Sequence, residues 1–169
     1  MFEDWRSKVA QLNVAKRYNE SAAILRERAE AGDLSAYAML ARIGGVTGMP
    51  RLEVDRLIEY VEANMNPNDM DARLALHDVY DQRLGAISYE QRARKSFDHL
   101  VAAAELGAGA TYSLAVARIY RTGALMVNVD LTESERWYKK AIEQGSVEAI
   151  HEIQKLQKIM KRTDASSTR

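Results

Sequence analysis

The sequence predicts an all-α fold built as a stack of helix pairs. Three observations carry that prediction. Strong helix formers dominate, with only two prolines and nine glycines in 169 residues, a balance that favours helix nearly throughout. Apolar residues recur three and four positions apart, and Val, Ile and Thr never alternate with polar residues long enough for a strand. Turn residues also recur at near-constant spacing: Gly32, Asn68, Gly107 and Gly145 lie 36, 39 and 38 residues apart.

The elements follow in order. Residues 3–13 form a first helix with Trp5, Val9 and Leu12 on one face, and residues 15–31 a second with Tyr18, Ala22, Leu25 and Ala29 stacked together. Gly32 suits the left-handed residue that ends a helix, and Asp33 suits the cap of the next. Ala36, Leu40 and Ile43 mark the buried stripe of a third helix, broken by Gly44, Gly45, Gly48 and Pro50. A fourth helix covers 51–64 with Leu52, Leu57 and Val61. Asn66-Pro67-Asn68-Asp69 is a turn in which Asn68 stands for glycine, and Ala72, Leu76 and Tyr80 belong to a fifth helix.

After a loop at 84–87, Ser88 and Gln91 have the form of a capping box for a sixth helix, with Phe97, Leu100, Val101 and Ala104 inward and Gly107 at its end. A seventh spans about 109–122. Thr132 and Glu135 form a second candidate box for an eighth, closed by Gly145. Ser146 caps a ninth with Ala149, Ile153 and Leu156 on its stripe, and the polar tail KRTDASSTR is expected to be disordered.

Aligned on the turns, Ala36, Ala72 and Ala149 fall four residues on, and Leu40, Leu76 and Ile153 eight residues on. The turn at Gly107 needs one extra residue, after which Tyr112 and Val116 join the same rows. Alanine in such rows lets paired helices approach closely, and a period near 34–40 with paired helices marks an α-solenoid.

The run Ala117-x-x-Tyr120-x-x-Gly123, then Asp130, Trp137-Tyr138-x-Lys140-Ala141 and Glu143-Gln144-Gly145, resembles the Sel-one-like repeat, a relative of the tetratricopeptide repeats. Ala104-Glu105-Leu106-Gly107 and Ala29-Glu30-Ala31-Gly32 resemble the same helix endings in earlier copies, so the likeness covers about residues 20–155. Gly44 stands where that pattern has tyrosine, and the fourth helix lacks the tryptophan-tyrosine pair. The resemblance implies a superhelical scaffold that binds proteins or peptides without catalysis, in a bacterial setting. It also implies that Trp137 and Tyr138 are core residues.

Composition narrows function further. Lys+Arg and Asp+Glu both number 24, so the basic excess expected of a nucleic-acid binder is missing. With no cysteine, disulfide frameworks, thiolate metal sites and cysteine nucleophiles are excluded. The first twenty residues mix acids and bases and do not read as a signal peptide. No window approaches eighteen apolar residues, so a soluble, cytoplasmic protein is expected.

In a stack of this kind the first helix of each pair lines the concave face. Ten residues past each turn come Arg42, Asp78 and, with the shift, Arg118, with Tyr37, Arg73, His77 and Arg121 nearby. These seven are the candidate partner-binding residues: a row of alternating charge whose arginines would pair with carboxylates of a peptide. The competing reading is a set of solvated charges, each contributing less than about 1 kcal/mol.

His77-Asp78 cannot act as a dyad alone, because helix neighbours point about 100° apart. His99 and His151 have no metal-ligand spacing. The loop Gly44-Gly45-Val46-Thr47-Gly48 lacks the Lys-Ser/Thr of a phosphate cradle. Trp5 either caps the open end of the stack or sits at a dimer contact.

The expectation is therefore a right-handed α-solenoid of eight or nine helices, one domain over 1–161. Its repeat units are 15–32, 33–68, 69–107 and 108–145, with a closing helix at 146–161 and a tail at 162–169. The protein is expected to be a monomer or weak homodimer that binds a protein segment in its groove, as an adaptor or regulator, without catalytic residues, cofactor, metal, nucleic acid or membrane. Two other uses stay open: an immunity-type inhibitor of a toxin, and a small enzyme using His77, Asp78 and Arg118.

Overall fold

The computed structural model describes residues 4–82 and 87–167, with side chains to residue 162. The described residues are helical with no strand. The helices are α1 Trp5–Val14, α2 Tyr18–Glu30, α3 Leu34–Gly44, α4 Arg51–Asn64, α5 Met70–Asp81, α6 Tyr89–Glu105, α7 Ala110–Thr122, α8 Leu131–Glu143 and α9 Val147–Ser167, with a 3-10 turn at Ala124–Met126. None is long and apolar enough to cross a membrane. The expected loop at 84–87 lies outside the described residues except for Ile87.

The chain divides into two compact units, Met1–Ser96 and Phe97–Arg169, the division falling within α6. In the first unit α1 packs on α2, α2 on α3, and α3 on both α4 and α5. One core gathers Val9, Leu25, Leu40 and Ile43, and a second gathers Val54, Ile58, Val61, Leu76 and Val79. In the second unit α8 packs on α7 and α9 around Trp137, Tyr138, Leu100, Val116 and Leu156.

One turn recurs in both units. After α2, Gly32 N donates to Ala29 O and Asp33 N to Arg28 O. The same pair of bonds closes α6 at Gly107 and Ala108, and α8 at Gly145 and Ser146. It is a Schellman closure, which needs a left-handed residue at its centre; the three glycines have φ of 92°, 94° and 94°. The fourth instance lies between α1 and α2, where Lys16 takes φ 58° while Lys16 N donates to Asn13 O and Arg17 N to Leu12 O. That break is why α2 starts at Tyr18 rather than at residue 15.

Asn68 does not stand in for glycine. Left-handed residues other than glycine are Lys16, Leu125 and Met126 among those described. The turn after α4 is organised by Asn66, whose Oδ1 accepts from Asn68 N while its carbonyl accepts from Asp69 N; Asp69 then caps α5 through Ala72 N.

Caps set the register of the cores. Asp33, Asp69 and Ser146 each cap their helix, and three residues on lie Ala36, Ala72 and Ala149, all fully buried. Seven residues on lie the buried Leu40, Leu76 and Ile153. The extra residue in the third turn is structural: Gly107 closes α6, and Gly109, not the next residue, precedes α7. From Gly109 the same spacing leads to Tyr112, half-buried, and Val116, fully buried.

The Ser88–Gln91 box forms in both directions. The Thr132–Glu135 box does not. Asp130 caps α8 instead, accepting from Thr132 N and Glu133 N, because Asp130 N donates to Tyr120 O and fixes the cap at that point. α9 continues to Ser167, so the segment expected to be a disordered tail is helical over 162–167.

Candidate functional site

The surface of the first unit that the sequence singles out is carried by α3 and α5. Both helices bury alanine and leucine toward their neighbours, which leaves Arg42 and Asp78 on the open side. Arg42 Nη1 lies 3.1 Å from Asp78 Oδ2, the two side chains 43% and 37% exposed. The row of alternating charge therefore starts as an ion pair between adjacent helices. Tyr37 packs its ring at 5.0 Å from that of Tyr60 on α4. Arg73 Nε donates to Pro67 O at 2.9 Å and so braces the turn before α5.

His77 Nδ1 lies 3.1 Å from Ser96 O and 2.9 Å from Ser96 Oγ. A carbonyl can only accept, so this contact places the ring proton on Nδ1. Ser96 Oγ in turn is 3.4 Å from His77 O, to which it donates. The serine is fully buried, and its hydroxyl proton is directed at a carbonyl rather than at the imidazole. The pair ties α5 to α6; it is not arranged as a nucleophile and base. Asp78, turned to Arg42, is not directed at this ring.

In the second unit Arg118 and Arg121 both turn to Glu152 of α9. Arg118 Nε donates to Glu152 Oε1 at 3.0 Å, Arg121 Nη1 lies 3.1 Å from Oε2, and Tyr138 Oη donates to Oε2 at 2.6 Å. Glu148, one turn earlier on α9, takes a second bond from Arg118. Arg118, Tyr138 and Arg121 together hold the Glu152 carboxyl at about 2, well below its ordinary 4.5. Burial and the same carboxylate push the Tyr138 phenol up. His77, Asp78 and Arg118, named as an alternative catalytic set, are thus each engaged by a different partner.

Trp137 and Tyr138 are fully buried. Arg136 and Lys140 lie over the Trp137 ring at 4.6 and 4.8 Å and share Glu105 as their carboxylate, so a cation–π pair and an ion pair reinforce one another. Trp5 packs against the first core, with the Arg6 guanidinium 4.4 Å over its ring. His99 is buried and His151 exposed. No cluster of three metal-ligating side chains occurs among the described residues.

Sequence reasoning missed one concave feature. A cavity of about 190 Å³ is lined by Asp55, Ile58, Glu59 and Glu62 of α4, Tyr80 of α5, Ile87, and Lys95 of α6. Lys95 Nζ donates to Glu62 Oε1 at 2.7 Å, and Tyr80 Oη donates to the same oxygen at 2.7 Å. Burial and the Glu62 hydrogen bond, then the charges of Glu62, Glu59 and Asp55, push the Tyr80 phenol up, so it stays a donor. Its signal was present in the sequence: acids at 55, 59 and 62 stand four and three apart, one stripe of a helix.

The chain matches no family model and no curated protein.

Proposed function

We propose that the chain is a non-catalytic protein-interaction module built from helix pairs of the Sel-one-like or tetratricopeptide-like kind, which holds a segment of a partner protein against the face formed by α3 and α5. The observation that carries this reading is the side-by-side placement of first helices. α3 packs on α5 as well as on its own partner α4, and Arg42 and Asp78 bridge the two on the open side. Such stacking turns consecutive first helices into one extended face, the surface that solenoid proteins use for binding. Tyr37, Arg42, Arg73, His77 and Asp78 are the residues offered there. The half-exposed Arg42–Asp78 pair suits a peptide of mixed charge, which can exchange partners with both members.

The test is capture from lysate of the source organism with tagged parent beside an Arg42→Glu, Arg73→Glu double variant, followed by reconstitution of the purified pair. A stoichiometric complex formed by the parent and lost by the folded variant supports the reading. A partner held equally by both moves the binding face elsewhere. Capture of nothing by either sinks the interaction module and directs attention to activity screens.

A further inference from the structure

A groove of about 340 Å³ lies where the ends of α1 and α3 meet the start of α2. Pockets for small molecules run to roughly 300–1,000 Å³, so this one suits a side chain or two rather than a cofactor. Its apolar part is Ile43, 6% exposed, with Val14 and Val46, 86% and 62% exposed, and the Tyr18 ring. A single exposed valine is ordinary. Two that line one groove beside a buried isoleucine make a seat for an aliphatic side chain.

The charge of the lining has one sign. Arg42 is its charged member, and Asn13 and Gln82 add neutral amides. Asp78, the acid that Arg42 pairs with, is not among the lining residues, so the groove itself presents a cation. That pair uses Nη1 alone, whereas a guanidinium carries five N–H donors. Arg118, which stands as far past the residue preceding α7 as Arg42 does past Asp33, donates to Glu148 and Glu152 at once. An arginine of this row can therefore serve two carboxylates, and Arg42 is paired with one.

We infer that the groove seats an aliphatic side chain of the partner segment while Arg42 takes a carboxylate from the residue beside it. The recognised element is then a leucine-like residue flanked by aspartate or glutamate, an apolar anchor joined to a charge-assisted bond. This rests on the interaction-module reading and deepens it, because the α3–α5 face and the groove share Arg42.

The probe is the N-acetylated tripeptide amide Asp-Leu-Asp, titrated into isotope-labelled protein and followed by backbone amide shifts. Saturable shifts at Val14, Tyr18, Ile43 and Val46 are expected at millimolar concentration. The Asn-Leu-Asn and Asp-Ala-Asp amides should bind about fivefold more weakly or worse, the first for want of charge and the second for want of the anchor. Arg42→Gln, folded by circular dichroism, should bind the Asp-Leu-Asp and Asn-Leu-Asn peptides equally, and Val46→Asp should saturate with neither. Absence of saturable shifts, equal binding of either control peptide by the parent, or undiminished binding by folded Val46→Asp overturns the proposal. An Arg42→Gln protein that still prefers the acidic peptide overturns it too. The titration needs no lysate, so the two readings fail separately. A captured partner that leaves these four residues unshifted sinks the groove and spares the interaction module, whereas peptide binding with nothing captured does the reverse.

Discussion

Arg118 of α7 reaches Glu152 of α9 in the same way that Arg42 of α3 reaches Asp78 of α5. Each arginine stands ten residues past its turn, allowing for the extra residue after Gly107, and each pairs with an acid two helices on. The two pairs differ in surroundings. Asp78 takes one guanidinium, whereas Glu152 is only 14% exposed and accepts from Arg118, Arg121 and Tyr138. The second pair therefore belongs to the fold and the first stays open to solvent.

Glu152→Gln should destabilise the second unit by about 1–2 kcal/mol, since two arginines and a buried tyrosine lose their shared carboxylate while surface screening limits the loss. Urea titration at pH 7 reads it as a lower midpoint with unchanged slope. An unchanged midpoint would mean that the cluster contributes nothing net.

The same residue fixes a pH window. Its folded value, about 2, lies below the ordinary 4.5, so its stabilisation is fully present above 4.5 and is lost as pH falls from there through 2. Glu105, held low by Lys140 and Arg136, and Glu135, held low by Gln157 and then Lys139, lose theirs on the same side. Parent and Glu152→Gln should differ most near neutrality and converge toward pH 2. Curves that stay parallel across that range would contradict the assignment.

Arg42→Ala should change stability by less than about 1 kcal/mol, because its pair with Asp78 is half-exposed and single. Chemical denaturation of the single variants and the double with Asp78→Ala gives the coupling directly. A coupling above that bound would make the α3–α5 pair a structural element, and loss of a partner in Arg42 variants would then report on folding.

Much of the fold was legible because alanine rows, caps and left-handed glycines are local signals. Ser88, Ser146 and Asp33 cap as their spacing indicates. Two sites were misread for different reasons, one overruled by a longer bond and the other by a competing local one. Asp130 displaced the Thr132–Glu135 box because its amide is anchored to Tyr120 of α7, and Asn68 was displaced by the side chain of Asn66. The candidate face was legible as a row of charges, but not that Arg118 is taken by acids 30 and 34 residues on. Of the cavity beside Tyr80 only the acid stripe of α4 was legible, because it joins α4 to a lysine on α6 and no single-helix pattern reports that meeting.

Gly44 gives a sharp contrast with its neighbour. A Cβ at Gly44 would lie 2.7 Å from Val54 Cγ2 and 3.2 Å from Met49 Sδ, whereas nothing lies within 4 Å of a Cβ at Gly45. The end of α3 thus presses on α4 where only glycine fits. Gly44→Ala should cost about 1–3 kcal/mol by overpacking. Gly45→Ala, at right-handed φ −62° and ψ −36°, should be neutral or stabilise by up to about 1 kcal/mol through the unfolded chain. Equal effects of the two substitutions would refute the close approach.

Lys16 offers the converse experiment. It holds the left-handed position of a Schellman closure that glycine holds at 32, 107 and 145, and a side chain there costs roughly 1–2 kcal/mol that glycine avoids. Glycine gives back about 0.5–1 kcal/mol in unfolded-state entropy, so the net gain for Lys16→Gly is about 0.5–1 kcal/mol. Lys16→Ala keeps the strain and should be near neutral, and Gly145→Ala should introduce it and lose about 1 kcal/mol. Urea midpoints of the three variants decide the matter. A Lys16→Gly protein no more stable than Lys16→Ala would show that the α1–α2 turn carries no strain to relieve, and that the lysine is held there by contacts of its own stem.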